Sequence, residues 1–432
     1  MSPTPERAGG RQAGVLVLAC LILFVDGYDV FAIGTVGPSL MQYRPWGATH
    51  DTLGMLGSVT ALGMPFGSVL AGWAADRRGR RLPLTVAVVW ISASMAAATF
   101  VPSLGLFAAA RFCTGVGIGA LAPLVSAYVT DTAPPRRRTL HLTIALGAMG
   151  IGGTASALLG RLLLPGVHFQ WLFLFGALPI LLVPAILRMV PDGPVEQHGA
   201  IGQHGAVEQA GPVGQAGRRR GLDRLAELFT PGGRRATVLF WCASFMSMAL
   251  VYSTTAWLPA VMMKSGYDLG SSLEFTIAFT IGATAGGLGG SVIADRGHLK
   301  TVTFTGFVLA AVALFVLSTP QPHVLLLLVS ALAGLGTLGG QNMVIACMTA
   351  FYPARSRGTG LGFGLGFGRL GAIAGPSYVA VATDLFTSSK AGFFAFMVPA
   401  VLGAAVIAAL PRVLGPAPET RAAGQEAAPV VP

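Results

Sequence analysis

Two aspartates three residues apart, Asp26 and Asp29, stand in the stretch LFVDGYDVF, inside an apolar run long enough to cross a bilayer. On a helix that spacing puts both carboxylates at neighbouring positions of one face. A charge near the bilayer centre costs on the order of 3 kcal/mol, so neither side chain faces lipid. Each must line an aqueous cavity or meet a cation. Carboxylates held in such places are suited to taking up and releasing protons as their surroundings change, and proton coupling is the expected role of Asp26 and Asp29. The plainer alternative is a hydrogen bond that braces the helices.

Two cations lie within apolar runs, Arg111 in RFCTGVGIGA and Arg369 in GFGRLGAIAGP. A guanidinium binds a carboxylate through paired hydrogen bonds. Arg111 is about seven residues into its run and Asp29 about eleven from the corresponding end of its own, which at 1.5 Å per residue makes pairing feasible. Such a pair either switches during function or permanently holds the fold, and Arg111 also suits a substrate carboxylate. Arg369 sits among glycines that let helices approach closely, with no acid evident in its own run. A substrate carboxylate is its expected partner; Asp29 and a backbone carbonyl are the rivals. Tyr252, Thr254, Thr255 and Trp257, with Gln341 and Asn342, add hydroxyls, amides and aromatic faces. Taken together they suit a flat, partly polar ligand. Taken singly, each is better explained by packing between helices.

The elements that position these groups follow from composition. Of 432 residues 53% are hydrophobic and only 10% charged, with a mean hydropathy of +0.69, far from the roughly 25% charged residues of a soluble domain. Twelve apolar runs can span a bilayer: 14–40, 53–74, 82–101, 104–129, 139–163, 170–190, 236–260, 272–293, 301–318, 322–348, 358–383 and 390–411. Runs such as LPLTVAVVWISASMAAATF do not alternate as barrel strands do, so the spans are helical. A net charge of +11 raises the question of nucleic acid, but the basic residues are segregated. With both termini cytoplasmic, the cytoplasmic segments take the large majority of Lys and Arg, while the opposite loops hold only Arg44, Arg161, Lys264 and Lys390. That asymmetry is the positive-inside pattern, which fixes the orientation and leaves no nucleic-acid surface. The four cysteines all fall within spans and imply no disulfide framework. The first run exceeds signal-peptide length and is read as a retained helix.

Between the sixth and seventh spans, PDGPVEQHGAIGQHGAVEQAGPVGQAGRRRG has almost nothing apolar to bury and is expected to be a disordered linker. Its His198 and His204 lack partners at metal-ligand spacing. The flanking halves repeat at one constant offset, which pairs Asp76 with Asp295, Gly115 with Gly334, and Pro134 and Arg136 with Pro353 and Arg355. Three matches at one register indicate a duplication. The expected organisation is an N-terminal bundle over 1–190, a linker over 191–235, a C-terminal bundle over 236–415 and a tail over 416–432.

The loop DRRGRR, with Asp76, Arg77, Gly79, Arg80 and Arg81, lies outside the bilayer. Asp76 can accept hydrogen bonds from a helix N-terminus, and the arginines can bind Asp131 or anionic lipid, forming a latch that holds one conformation. The second copy, DRGHLK, is eroded, and its latch is doubtful. His141, His168 and Glu274 read as ordinary polar groups near the helix ends.

GWAADRRGRR after the second span, RFCTGVGIGA in the fourth and APPRRR before the fifth resemble the signature elements of the major facilitator superfamily, over nearly the whole chain. DGYD in the first span, TTAWLPAVMMKSGY in the seventh and RGTGLGFGLGFGRLGAIAGP in the eleventh are further similar to the aromatic acid:proton symporter family. The resemblance implies an all-α membrane protein of two pseudo-symmetric six-helix bundles, with the first and fourth helices adjacent. It also implies a bacterial inner-membrane location and proton-coupled uptake of an aromatic carboxylate such as a benzoate or hydroxybenzoate, for which the D-G-x-D pair is needed. The alternatives are another organic anion, export by proton antiport, and a sensor that binds without transport. Antiporters of the superfamily commonly carry G-x-x-x-G-P in the fifth helix, whereas here GAMGIGGTASALLG has no proline. No nucleophile–base set, metal set or nucleotide loop supports an enzyme, and no cofactor is expected. A monomer is expected, with membrane lipid, protons and the acid as its partners.

Overall fold

The computed structural model describes residues 5–132, 138–164, 166–190, 229, 233–293, 298–352, 357–386, 388 and 390–411. The expected linker and C-terminal tail fall largely outside these residues. The chain is helical, with segments α1 Pro5–Gln42, α2 His50–Arg78, α3 Arg81–Phe100, α4 Leu104–Thr132 and α5 Arg138–Leu163, then α6 Trp171–Met189. The second group comprises α7 Arg234–Lys264, α8 Leu269–Ile293, α9 Leu299–Leu317, α10 His323–Phe351, α11 Arg357–Leu385 and α12 Ala391–Ala409.

The expected continuous helix over 170–190 is instead broken. Trp171–Phe175 and Val183–Met189 are α-helical, and Leu178–Leu182 is a tighter 3-10 turn. Pro179 and Pro184 explain this, because each removes a backbone donor and its ring clashes with the preceding turn. Elsewhere prolines are absorbed inside long helices, as at Pro65 and Pro376, where neighbouring helices cover the freed carbonyls.

Alternate helix connections lie at two faces. The Trp46 face holds the α1–α2 connection, where Trp46 Nε1 donates to Pro102 O at 3.0 Å. There Thr49 caps α2 reciprocally with Thr52, and Asp268 accepts from Ser271 N and Oγ at the start of α8. The Ser271 bond holds the Asp268 carboxyl below the usual carboxylate range. The Gly79 face holds the α2–α3 connection, which turns through Gly79 at φ 72°, a conformation that favours glycine.

The two groups of six pack alike. In the first, α1 packs on α5, α2 and α3 on α4, and α3 on α6; in the second, α7 packs on α11, α8 and α9 on α10, and α9 on α12. This mirrored pairing makes two pseudo-symmetric bundles, which meet through α1 with α7, α2 with α11 and α5 with α8.

The bundles meet closely toward the Trp46 face. Gly34 of α1 lies so near the Thr255 carbonyl of α7 that a Cβ would collide with it. Ser58 and Ser377 share a hydrogen bond at 2.8 Å, and His50 meets Asp384 at 3.2 Å. From Asp26 to Leu40 nearly every residue of α1 is covered, whereas nearer the Gly79 face Val17 and Leu21 are exposed. Helix α7 repeats the pattern, covered from Ser253 to Met262 and exposed at Val238. The bundles are thus closed on each other toward Trp46, and α1 and α7 lose that cover toward Gly79.

Candidate transport cavity

Asp26 and Asp29 are both buried, at 2% and 0% exposure, yet their surroundings differ. Asp29 takes both prongs of the Arg111 guanidinium, Nη1 on Oδ1 at 2.5 Å and Nη2 on Oδ2 at 3.0 Å. Arg111 is itself fully buried, with its guanidinium over the Phe173 ring at 5.4 Å. Charge is therefore neutralised within the first bundle by a bidentate pair. Asp26, one turn earlier on α1, keeps Oδ1 buried with no hydrogen-bond partner. Arg369 of α11, in the other bundle, is a cation whose charge acts on Asp26.

Arg369 has weak company. Its Nη1 points at the Met64 sulfur at 3.0 Å and the Tyr252 hydroxyl at 3.4 Å, and Tyr252 in turn donates to the same sulfur at 3.3 Å. A thioether is a poor acceptor. Among the described residues no carboxylate lies within salt-bridge distance of Arg369. A guanidinium, a phenol and an unpartnered carboxylate thus converge from α11, α7 and α1, an arrangement able to receive an anion beside a group that can take a proton.

A narrow cavity adjoins this cluster, lined by Thr60, Met64, Arg111, Tyr252, Thr255 and Pro376, with apolar walls from Val30 and Ile33. Of the residues expected at a substrate site, Arg111, Tyr252 and Thr255 line it and Arg369 borders it through Met64. Trp257, Gln341 and Asn342 fall outside. Trp257 is buried, donates to Pro376 O at 3.0 Å and packs near the His50 ring, so it knits α7 to α11 at the shut end. Gln341 is buried with both amide atoms unpartnered, while Asn342 lies beside Gly287 of α8.

At the Asp76 loop, Arg77 is exposed and lies over the Trp73 ring at 4.2 Å, and Arg80 and Arg81 follow the Gly79 turn into α3. The side chains of Asp76 and Asp131, which the latch requires, lie outside the description.

Two features escaped sequence reasoning. Met64 and Thr60 are ordinary members of an apolar run, and nothing local marks them. Glu274, expected to be an ordinary polar group near a helix end, also ties the bundles together: it meets Arg161 of α5 at 2.5 Å and His323 of α10 at 2.9 Å. The only available signal was the lone Arg161 at the matching end of α5. These partners are partly exposed, so the Arg161–Glu274 pair contributes about 0.2–1 kcal/mol. Glu274→Gln should therefore move the balance between shut and open forms by up to about fivefold, read as the distance distribution between spin labels at the Trp46 face. An unchanged distribution would remove Glu274 from the closure.

The family model described as the Major Facilitator Superfamily matches residues 19–376 and 275–432. The chain is 30% identical over 408 residues to the benzoate transport protein of Acinetobacter baylyi, covering 90% of this chain and 87% of that protein. It is 30% identical over 413 residues to the gentisate transporter of Corynebacterium glutamicum, covering 94% and 88%, and 28% identical over 414 residues to the 4-hydroxybenzoate transporter PcaK of Pseudomonas aeruginosa, covering 92% of each. Its fold resembles the crystal structure of a D-xylose-proton symporter, with a TM-score of 0.76, 16% identity and coverage of 93% and 98%. It also resembles the inward-open xylose transporter XylE from E. coli, with a TM-score of 0.73, 16% identity and coverage of 95% and 98%. Family match, mirrored bundles and membrane-spanning helices agree: the chain is an integral membrane protein belonging to the major facilitator superfamily, a family of transporters and not of enzymes.

Proposed function

We infer that this protein moves an aromatic carboxylate together with protons across a bacterial inner membrane by alternating access. One observation carries the reading most: Arg369 stands between the bundles with no strong acceptor, while the Oδ1 of Asp26, buried on α1, has no donor. The relatives named for benzoate, gentisate and 4-hydroxybenzoate support an aromatic acid as cargo. The segregation of basic residues supports cytoplasmic termini, which makes the Gly79 face cytoplasmic and the observed state inward-facing.

In this mechanism the two bundles, joined through 191–235, rock about the cavity. Asp26 takes a proton from the outside, which frees Arg369 to hold the substrate carboxylate, and the neutralised site then turns inward. Loaded with the acid but lacking the proton, the site carries a net negative charge and crosses poorly, whereas the empty carrier returns with the Asp26 charge balanced by Arg369, which couples the two fluxes. Asp29, held by Arg111, stays paired and keeps α1 against α4.

Uptake of a labelled aromatic-acid panel into proteoliposomes, with and without a protonophore, tests this directly. Accumulation that survives the protonophore would sink proton coupling, and no flux of any aromatic acid would sink the cargo. Arg369→Gln removes a charge-assisted hydrogen bond worth about 1.5–3 kcal/mol, so affinity for the acid should fall roughly 10- to 150-fold, measured by equilibrium binding. Unchanged affinity would place the carboxylate elsewhere.

A further inference from the structure

Two threonines face the cavity from opposite bundles, Thr60 on α2 and Thr255 on α7. Both are buried, at 5% and 3% exposure. A hydroxyl has one proton and two lone pairs, and in each case the proton is already used. Thr60 Oγ1 donates to Leu56 O at 2.9 Å and Thr255 Oγ1 to Tyr252 O at 3.2 Å. No donor from the described residues reaches either oxygen. This part of the cavity therefore offers buried acceptors that lack a donor.

The other part has the opposite character. Arg369 and Tyr252 bring protons to the Met64 sulfur. Met64 follows Thr60 by four residues and Tyr252 precedes Thr255 by three, so in both helices the acceptors lie about one turn, roughly 5.4 Å, closer to the Trp46 face. That rise is comparable to the width of one benzene ring. Between the two levels the walls are apolar, from Val30, Ile33 and Pro376.

We propose that Thr60 and Thr255 form a specificity pair that selects ring-hydroxylated aromatic acids over unsubstituted ones, by accepting the phenolic proton while Arg369 holds the carboxylate. This rests on the carboxylate reading above and adds to it the donor at the far end of the ring. A ligand without that hydroxyl leaves the two threonine oxygens facing carbon and forfeits the hydrogen bond they would accept. The Met64 thioether, at the level of Arg369, yields its place to the carboxylate.

The test is competitive binding of 4-hydroxybenzoate and of benzoate to the full-length protein in proteoliposomes. The wild type should prefer 4-hydroxybenzoate by about 2- to 12-fold, the effect of one neutral hydrogen bond of about 0.5–1.5 kcal/mol. Thr60→Val combined with Thr255→Val should bring the affinity ratio close to one, while Thr60→Ser, which restores the oxygen, should keep the preference. Equal binding of the two acids by the wild type, or a ratio that survives the double valine variant, would overturn the assignment and leave the carboxylate reading standing. Binding of neither acid would overturn both.

Discussion

Replacement of Asp26 by Asn should abolish accumulation of the acid against its gradient while exchange of labelled for unlabelled acid continues. Asp26 is only 2% exposed and its Oδ1 has no hydrogen-bond partner. A bare carboxylate at such depth costs on the order of 3 kcal/mol, more where no cation compensates it. The protonated acid escapes that cost, so a carrier holding the substrate carboxylate reorients more easily with a proton on Asp26 than without one. Asparagine keeps the shape and stays neutral throughout, so reorientation proceeds but no proton is carried. Counterflow, which needs only binding and reorientation, survives, whereas net concentrative uptake falls to the equilibrium level. Full gradient-driven accumulation by Asp26→Asn in proteoliposomes with an imposed pH gradient would eliminate Asp26 as the coupling group.

The neighbouring acid should behave differently, because Asp29→Asn breaks a pair. Both partners are at 0% exposure, and the substitution leaves the Arg111 charge buried without its counter-ion. Removing one member of a buried pair costs about 3–5 kcal/mol, a large fraction of the 5–15 kcal/mol that holds a typical domain folded. Arg111 cannot shed its proton as a way out. Asp29→Asn should therefore lower the thermal midpoint sharply and reduce the yield of monodisperse protein in detergent. Replacing both residues with apolar ones of similar size, Asp29→Leu with Arg111→Met, should recover most of the stability, because the double change removes the desolvation cost along with the attraction. The measurement is a thermal unfolding series on the wild type and both variants. A single variant as stable as the wild type would contradict the permanent brace and return Asp29 to the titrating groups.

Taken together the two variants separate roles that the stretch LFVDGYDVF presents as equal. Spacing and type are the same for both acids, and only the neighbours differ. The Glu274 contacts make the same point at the Trp46 face, where a residue with no local mark joins α5, α8 and α10 because three helix ends happen to meet there.

Sequence alone determined what depends on local composition and on the bilayer as solvent: the helical class, the number and approximate extent of the spans, the duplication, and the presence of acids and arginines inside the hydrocarbon layer. These are legible because apolar length and the burial cost of charge act on each segment independently. The break in α6 was legible in principle from Pro179 and Pro184, but apolarity concealed it. Tertiary structure alone decided that Asp29 is paired and Asp26 is not, that Arg369 rests on a thioether, and that Trp257 and Gln341 lie away from the cavity. Rotations of about 100° per residue spread neighbouring side chains over several helices, and partners more than eighty positions away in the chain then decide what each polar group meets.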